Sequence, residues 1–202
     1  MPTPAAQSEK QRRILRAAIT VFARNGYHGS KVGEVATEAG VAYGLVYHYF
    51  GSKEALLETI FRRTWRRMLA AVEELETAET TSRERIAGVA RIVLGAWAAD
   101  PELVSVLVRE VGRGPQLQRE VAEIQRAFTA LERIIQRGQK DGELRDDLSP
   151  RLGAWILYGA LEEILTGWVY GRLPDTPAEI EAAEAAVVAV LCDGFVVPGA
   201  TD

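Results

Sequence analysis

Apolar residues recur at three- and four-residue steps along most of this chain, and no segment alternates with a two-residue period over any length. That pattern predicts helices and no sheet. Ile14, Ala18, Ile19 and Phe22 form a first stripe, and Lys10, Arg12, Arg13 and Arg16 cover much of the opposite surface. The expected helix is capped by Ser8, runs to about Arg24 and ends at Asn25-Gly26. Met1 to Gln7, rich in Pro and Ala, is expected to be disordered. Val32, Val35, Ala36 and Ala39 make the next stripe, with Ser30 as its cap and Gly40 as its stop. Val41 fills the angle, and a short helix from Ala42 sets Val46 and Phe50 on one side. Gly51-Ser52 then turns the chain into a helix capped by Ser52, from Lys53 to about Ala78 and roughly 37 Å long.

Thr80–Ser82 breaks the pattern. Helices are then expected from about Arg83 to Ala99, Pro101 to Val111 and Pro115 to Lys140, with Pro at first-turn positions where its missing N–H does no harm. Lys140-Asp141-Gly142-Glu143 reads as a turn, and Ser149-Pro150 and Thr176-Pro177 open the last two helices, to about Gly171 and Phe195. The predicted fold class is all-α with about nine helices. Residues 1–52 form a three-helix helix-turn-helix unit and residues 53–202 a helical domain. The fourth helix bridges them: Leu56, Leu57 and Ile60 close the first core, while Phe61, Trp65, Met68, Leu69 and Val72 enter the second.

The short helix after Ala42 is too brief to stand alone in water, so a scaffold must hold it. Its outward residues are Tyr43, Gly44, Tyr47 and His48, with Lys53 just beyond. A helix-turn-helix presents its recognition helix to the DNA major groove in this way. Tyr43, Gly44 and Leu45 lie at the helix start, where side chains meet base edges; Ala42 or Leu45 can touch a thymine methyl, and Gly44 lets the backbone come close. Ser30 and Lys31 are candidates to grip the backbone of the other strand, and His48 and Tyr49 are secondary contacts. A net charge of −4 is compatible with this because of its distribution. Residues 1–67 hold eleven Lys or Arg against five Glu, while the remainder holds thirteen against twenty-three acids. A basic amino-terminal part on an acidic body suits an anionic polymer at one end.

The stretch from Ser8 to Leu57 resembles the DNA-binding domain of the TetR family of bacterial transcriptional regulators. The residues that carry the resemblance are Ile14-Leu15-Arg16-Ala17-Ala18, Phe22, Asn25-Gly26-Tyr27, Val35-Ala36, Ala39-Gly40-Val41, Tyr47-His48-Tyr49-Phe50, Ser52-Lys53-Glu54 and Leu56-Leu57. The chain departs from the family pattern at Gly33, where Arg is frequent, at Tyr43, where Lys is common, and at Leu45, where Thr is common. The resemblance implies phosphate contacts at Tyr47 and Lys53. It also implies a homodimer on an inverted-repeat operator, and repression relieved by a small molecule. Arg151-Leu152 to Trp168-Val169, with Gly159 and Glu162 between, is similar to FadR-type members, which respond to long-chain acyl-CoA. A repressor of an efflux or catabolic gene with another hydrophobic or aromatic ligand is the alternative.

The expected pocket linings are Phe61, Trp65, Trp97, Leu103, Val104, Leu107, Val108, Phe128, Leu131 and Ile135, with Arg91, Arg109, Arg113 and Arg126 available to effector phosphates. The helix from Pro150 is apolar around most of its circumference. Trp155, Tyr158, Leu161, Glu162, Leu165 and Trp168, joined by Val187, Val190 and Leu191 of the last helix, are the expected four-helix dimer interface. Burial of those residues inside one chain is the competing reading.

One cysteine, Cys192, excludes an internal disulfide and suits a reducing cytoplasm, and the only imidazoles are His28 and His48. No metal and no cofactor is expected. Glu162-Glu163 and Asp146-Asp147 are adjacent on their segments, so on a helix they point about 100° apart and form no catalytic dyad. An enzyme or all-α carrier without a DNA role is therefore the disfavoured class. No eighteen-residue apolar run and no signal peptide is present, so no membrane association is expected.

Overall fold

The computed structural model describes residues 4–111 and 122–194, and these contain nine helices and no strand. The helices are α1 (Pro4–Asn25), α2 (Val32–Ala39), α3 (Tyr43–Phe50), α4 (Lys53–Thr77), α5 (Ser82–Ala99), α6 (Pro101–Val111), α7 (Ala122–Lys140), α8 (Pro150–Val169) and α9 (Pro177–Asp193). The all-α fold class read from the periodicity holds. The expected helix start at Pro115, the arginine at 113 and the helix end at Phe195 lie outside the described residues. The chain divides into two compact units, Met1–Thr64 with Glu102–Glu120, and Trp65–Pro101 with Val121–Asp202.

The buried side chains of the first unit include Ile14, Ala18, Val21 and Phe22 of α1, Val35 of α2, Val46 of α3, and Leu56, Ile60 and Phe61 of α4. Three local expectations need correction. Helix α1 starts at Pro4, so Pro4–Gln7 is helical and Ser8 lies inside the helix instead of capping it. Helix α2 is capped at Lys31, whose amide donates to Glu34 Oε2 at 2.7 Å. Ser30 cannot serve there because its hydroxyl turns inward, donating to the carbonyls of Gly26 at 2.6 Å and Val21 at 3.3 Å. Gly40 takes the left-handed conformation at φ 61°, ψ 43°, and the amides of Gly40 and Val41 bond back to Thr37 and Ala36. Ser52 caps α4 as expected, accepting from the Ala55 amide at 3.0 Å.

Helix α6 belongs to this unit through polar bonds to α1. Glu102 accepts from Arg16 at 2.5 Å and from Thr20 at 2.8 Å, and Arg109 donates to the Ala23 carbonyl at 3.2 Å.

In the second unit the latter part of α4 packs with α5, α7, α8 and α9 around Val72, Val89, Leu94, Ile134, Leu157 and Leu161. Helix starts are chemically marked. Thr81 and Glu84 form a reciprocal capping box at α5, Ser149 caps α8, and Thr176 caps α9. Arg85 is buried and its Nη2 donates to the Ala78 carbonyl at 2.7 Å, which ties the α4–α5 turn to α5. The neighbouring Ser82 amide donates to Glu143 Oε2 at 2.5 Å and so holds the α7–α8 turn against the same point.

Candidate nucleic-acid interface and ligand cavity

Helix α3 has eight residues and is anchored inward by one fully buried side chain, Val46. Its opposite face is aromatic and open, with Tyr43 56% and Tyr47 41% exposed. The two hydroxyls are 3.2 Å apart and the rings 5.1 Å apart between centroids. That hydrogen bond pushes the Tyr47 phenol up from its ordinary range. Ala42, Gly44 and His48 are also exposed, and a Cβ added at Gly44 would meet nothing within 4 Å. Leu45 and Tyr49 are half-buried, and the Tyr49 ring packs edge-on to His48 and Phe50. Lys31, at the α2 cap, is exposed.

Two of the expected DNA contacts are engaged elsewhere. Ser30 is buried and its hydroxyl is spent on backbone carbonyls, so its side chain offers nothing to a phosphate. Lys53 donates from Nζ to the carbonyls of Tyr27 at 2.9 Å and Ser30 at 3.0 Å, and sits 4.5 Å from the Tyr27 ring centroid. The Tyr27 hydroxyl in turn donates to Glu54 Oε1 at 3.2 Å. Burial, and then Glu54, push the Tyr27 phenol up to about 12. The first turn of α4 therefore clamps the α1–α2 loop. Arg13, read from sequence as a surface charge, donates to the Ala39 carbonyl at 2.7 Å and closes the end of α2. No local signal distinguishes Arg13 from its neighbours on α1.

The second unit encloses a cavity of about 20 Å³, on the scale that one water needs. It is lined by Trp65, Met68 and Val72 of α4, Val89 and Val93 of α5, Ala127, Phe128 and Leu131 of α7, and Tyr158 and Leu161 of α8. Of the expected linings, Trp65, Phe128 and Leu131 are there. Phe61, in the first half of α4, belongs to the first unit, as do Leu103, Val104, Leu107, Val108 and Arg109, because the acid and arginine of α6 dock it on α1. Trp97 packs on Trp168 and its Nε1 donates to Asp175, and Ile135 packs near Gly153; neither reaches the cavity. Tyr158 lines the cavity, and burial raises its phenol well above the usual range. Glu162, one turn on, is raised by burial and then by Glu163.

The expected interface set also divides. Leu161, Trp168 and Val187 are buried within the unit, and the Trp168 Nε1 donates to the Pro174 carbonyl at 2.9 Å. Leu165 and Leu191 pack against the same core, and Val190 is half-buried. Leu161 and Trp168 are buried because α8 presses its Leu157–Leu161–Trp168 face into the α5–α9 layer. What stays open is the stripe of α8 that holds Trp155 of the expected set. Trp155 is 56% exposed, with Leu152 at 53% and Ile156 at 47%. Phe128 stacks on the Trp155 ring at 4.7 Å. The spacing 152, 155, 156, 159 is a helix face legible in the sequence, hidden there by the equally apolar face behind it.

Two family descriptions match consecutive parts of the chain. "Bacterial regulatory proteins, tetR family" matches residues 14–60, and "YsiA-like protein, C-terminal region" matches residues 61–191. The chain belongs to the TetR family. It is 30% identical over 188 residues to the fatty acid metabolism regulator protein of Bacillus subtilis, covering 92% of this chain and 95% of that protein. The crystal structure of the transcriptional regulator FadR from Bacillus subtilis in complex with stearoyl-CoA superposes with a TM-score of 0.81 at 30% identity, over 92% of this chain and 99% of that one. The fatty acid degradation regulator FadR from Bacillus halodurans follows with a TM-score of 0.79 at 26% identity, over 92% and 99% of the two chains.

As a TetR-family member the chain is a DNA-binding transcriptional regulator, with an amino-terminal helix-turn-helix and a carboxy-terminal helical domain; its relatives are regulators, not enzymes. Among the described residues no three His, Cys, Asp or Glu converge as a metal site would require. No described helix is long and apolar enough to cross a membrane.

Proposed function

We propose that this TetR-family regulator is a homodimeric repressor. It binds an inverted-repeat operator in the cytoplasm and leaves it when a long-chain acyl-CoA enters the second unit. The observation that carries this reading is the likeness, over nine-tenths of the chain, to a fatty acid metabolism regulator and to a FadR bound to stearoyl-CoA. The apolar cavity walls support it: Trp65, Phe128, Leu131 and Tyr158 suit an aliphatic tail.

In this reading residues 1–52 are the DNA-binding domain and 53–202 the effector and dimer domain. Two recognition helices enter successive major grooves roughly 34 Å apart. Tyr47, Lys31 and His48 meet phosphates, Gly44 and Ala42 approach base edges, and Lys53 orders the loop that carries Lys31. The Leu152–Trp155–Ile156 face of α8 pairs with its copy. Arg91 and Arg126 are exposed and available to the coenzyme phosphates, whereas Arg109 is committed to α1.

A cavity of about 20 Å³ cannot hold a long tail, so entry must part α4 from α7 and α8. Helix α4 is unbroken from Lys53 to Thr77, and its first turn clamps the α1–α2 loop. Only a difference in effector affinity between the two arrangements drives release, typically about 1–3 kcal/mol.

The test is operator binding, by gel shift on the DNA upstream of the protein's own gene, with a ligand panel. Long-chain acyl-CoA is expected to weaken the complex and short-chain acyl-CoA to leave it intact. The rings around the cavity also suit an aromatic ligand. Release by an aromatic compound with no response to acyl-CoA would replace the fatty acid reading with that one.

A further inference from the structure

Tyr43 stands where a helix-turn-helix places its first base reader, yet its surroundings belong to a different role. Its ring lies over Gly33 of α2, where an added Cβ would be 3.9 Å from both Cδ2 and Cε2. On its other side is Tyr47, one helical turn on, with an angle of 57° between the ring planes. The two hydroxyls join at 3.2 Å. Each phenol carries one proton and two lone pairs. The bond between them uses one proton, so the pair retains a single proton for a third group, whichever hydroxyl donates. Hydroxyls joined in this way polarise each other, which strengthens the remaining donor.

We propose that Tyr43 and Tyr47 act as one phosphate-binding unit: the joined hydroxyls direct their single remaining proton to one DNA phosphate oxygen, and Tyr43 reads no base. The inference rests on the DNA-binding role of the family and goes beyond it in assigning Tyr43. Gly33 lies at ordinary contact distance from the ring, which sets the Tyr43 side chain against α2. Base recognition at the start of α3 then falls to Ala42, Gly44 and Leu45.

A double-mutant cycle with Tyr43→Phe, Tyr47→Phe and the double variant tests this, because Phe keeps each ring and deletes only the hydroxyl. Binding is measured by fluorescence anisotropy on two duplexes, the gene's own upstream DNA and a scrambled duplex of the same composition, over a salt series. Each single variant is expected to weaken both duplexes by the same factor, about tenfold, the order for one hydrogen bond to a charged partner. The double variant is expected to lose little more than either single one. The salt slope stays unchanged because no cation is removed, and thermal unfolding stays unchanged because both hydroxyls are exposed. Two results would overturn the proposal: additive losses in the double variant, or a Tyr43→Phe loss confined to the upstream duplex. If wild-type protein bound neither duplex, the DNA-binding role itself would fall, and the inference with it.

Discussion

Arg13 reaches from the middle of α1 to the last turn of α2, where its Nη2 donates to the Ala39 carbonyl at 2.7 Å. The carbonyls at a helix end have no partner within the helix, and a guanidinium can both bond one and offset the negative end of the dipole. Helix α2 has only eight residues and its cap, Lys31, has no side-chain acceptor, so this bond contributes a large share of its order. Arg13→Met, which keeps the aliphatic stem, is expected to cost about 1–2 kcal/mol. Hydrogen exchange should speed up at the α2 amides first, and operator affinity should fall with it.

Lys53 serves the loop before it serves DNA. Lys53→Met frees the carbonyls of Tyr27 and Ser30. The expected result is faster amide exchange over residues 26–31 and a lower melting temperature. The slope of log affinity against log salt should change by less than the value of about 1 that marks a lost phosphate contact. A full unit of slope with unchanged stability would return Lys53 to the role of a phosphate ligand.

Leu161 and Trp155 sit on one helix and should answer differently. Leu161 is fully buried, so Leu161→Ala should cost about 2–5 kcal/mol of unfolding free energy while leaving the oligomeric state unchanged. Trp155→Glu places a charge on the open face, and should shift sedimentation toward monomer while the helical circular dichroism is retained.

The Tyr27–Glu54 pair makes the first unit sensitive at both ends of the pH scale. Tyr27 is held protonated to about 12 by burial and Glu54, against an ordinary value of 10.0. Its contribution is therefore complete below pH 10 and is lost as the pH rises from 10 to 12. Glu54 is lowered by its own backbone amide and by Ser52, so its smaller contribution is present above about 4.5 and is lost as the pH falls through its depressed value. Spectrophotometric titration of tyrosinate is expected to show late phases, of which Tyr27→Phe removes the one near 12 and, with it, the loss of stability between pH 10 and 12 that this proton causes.

What the chain encodes locally was legible without coordinates. The stripe of Val32, Val35, Ala36 and Ala39, the left-handed stop at Gly40, the caps at Ser52, Ser149 and Thr176, and the helix-opening prolines are interactions within a few residues of each other. Periodicity and cap chemistry report such interactions directly, so the helix order and the position of the recognition helix followed. Long-range partners were decided by tertiary structure. Nothing in the residue types says that Arg13 meets Ala39, that Glu102 takes Arg16 and Thr20, or that Lys53 turns back to the Tyr27 carbonyl. The same holds for α8, which is apolar on two faces. Only the packing of Leu157, Leu161 and Trp168 against neighbouring helices determined that Leu152, Trp155 and Ile156 would be left outside. A hydrophobic pattern specifies that a face is buried; which surface buries it depends on shapes and distances that arise only when the helices come together.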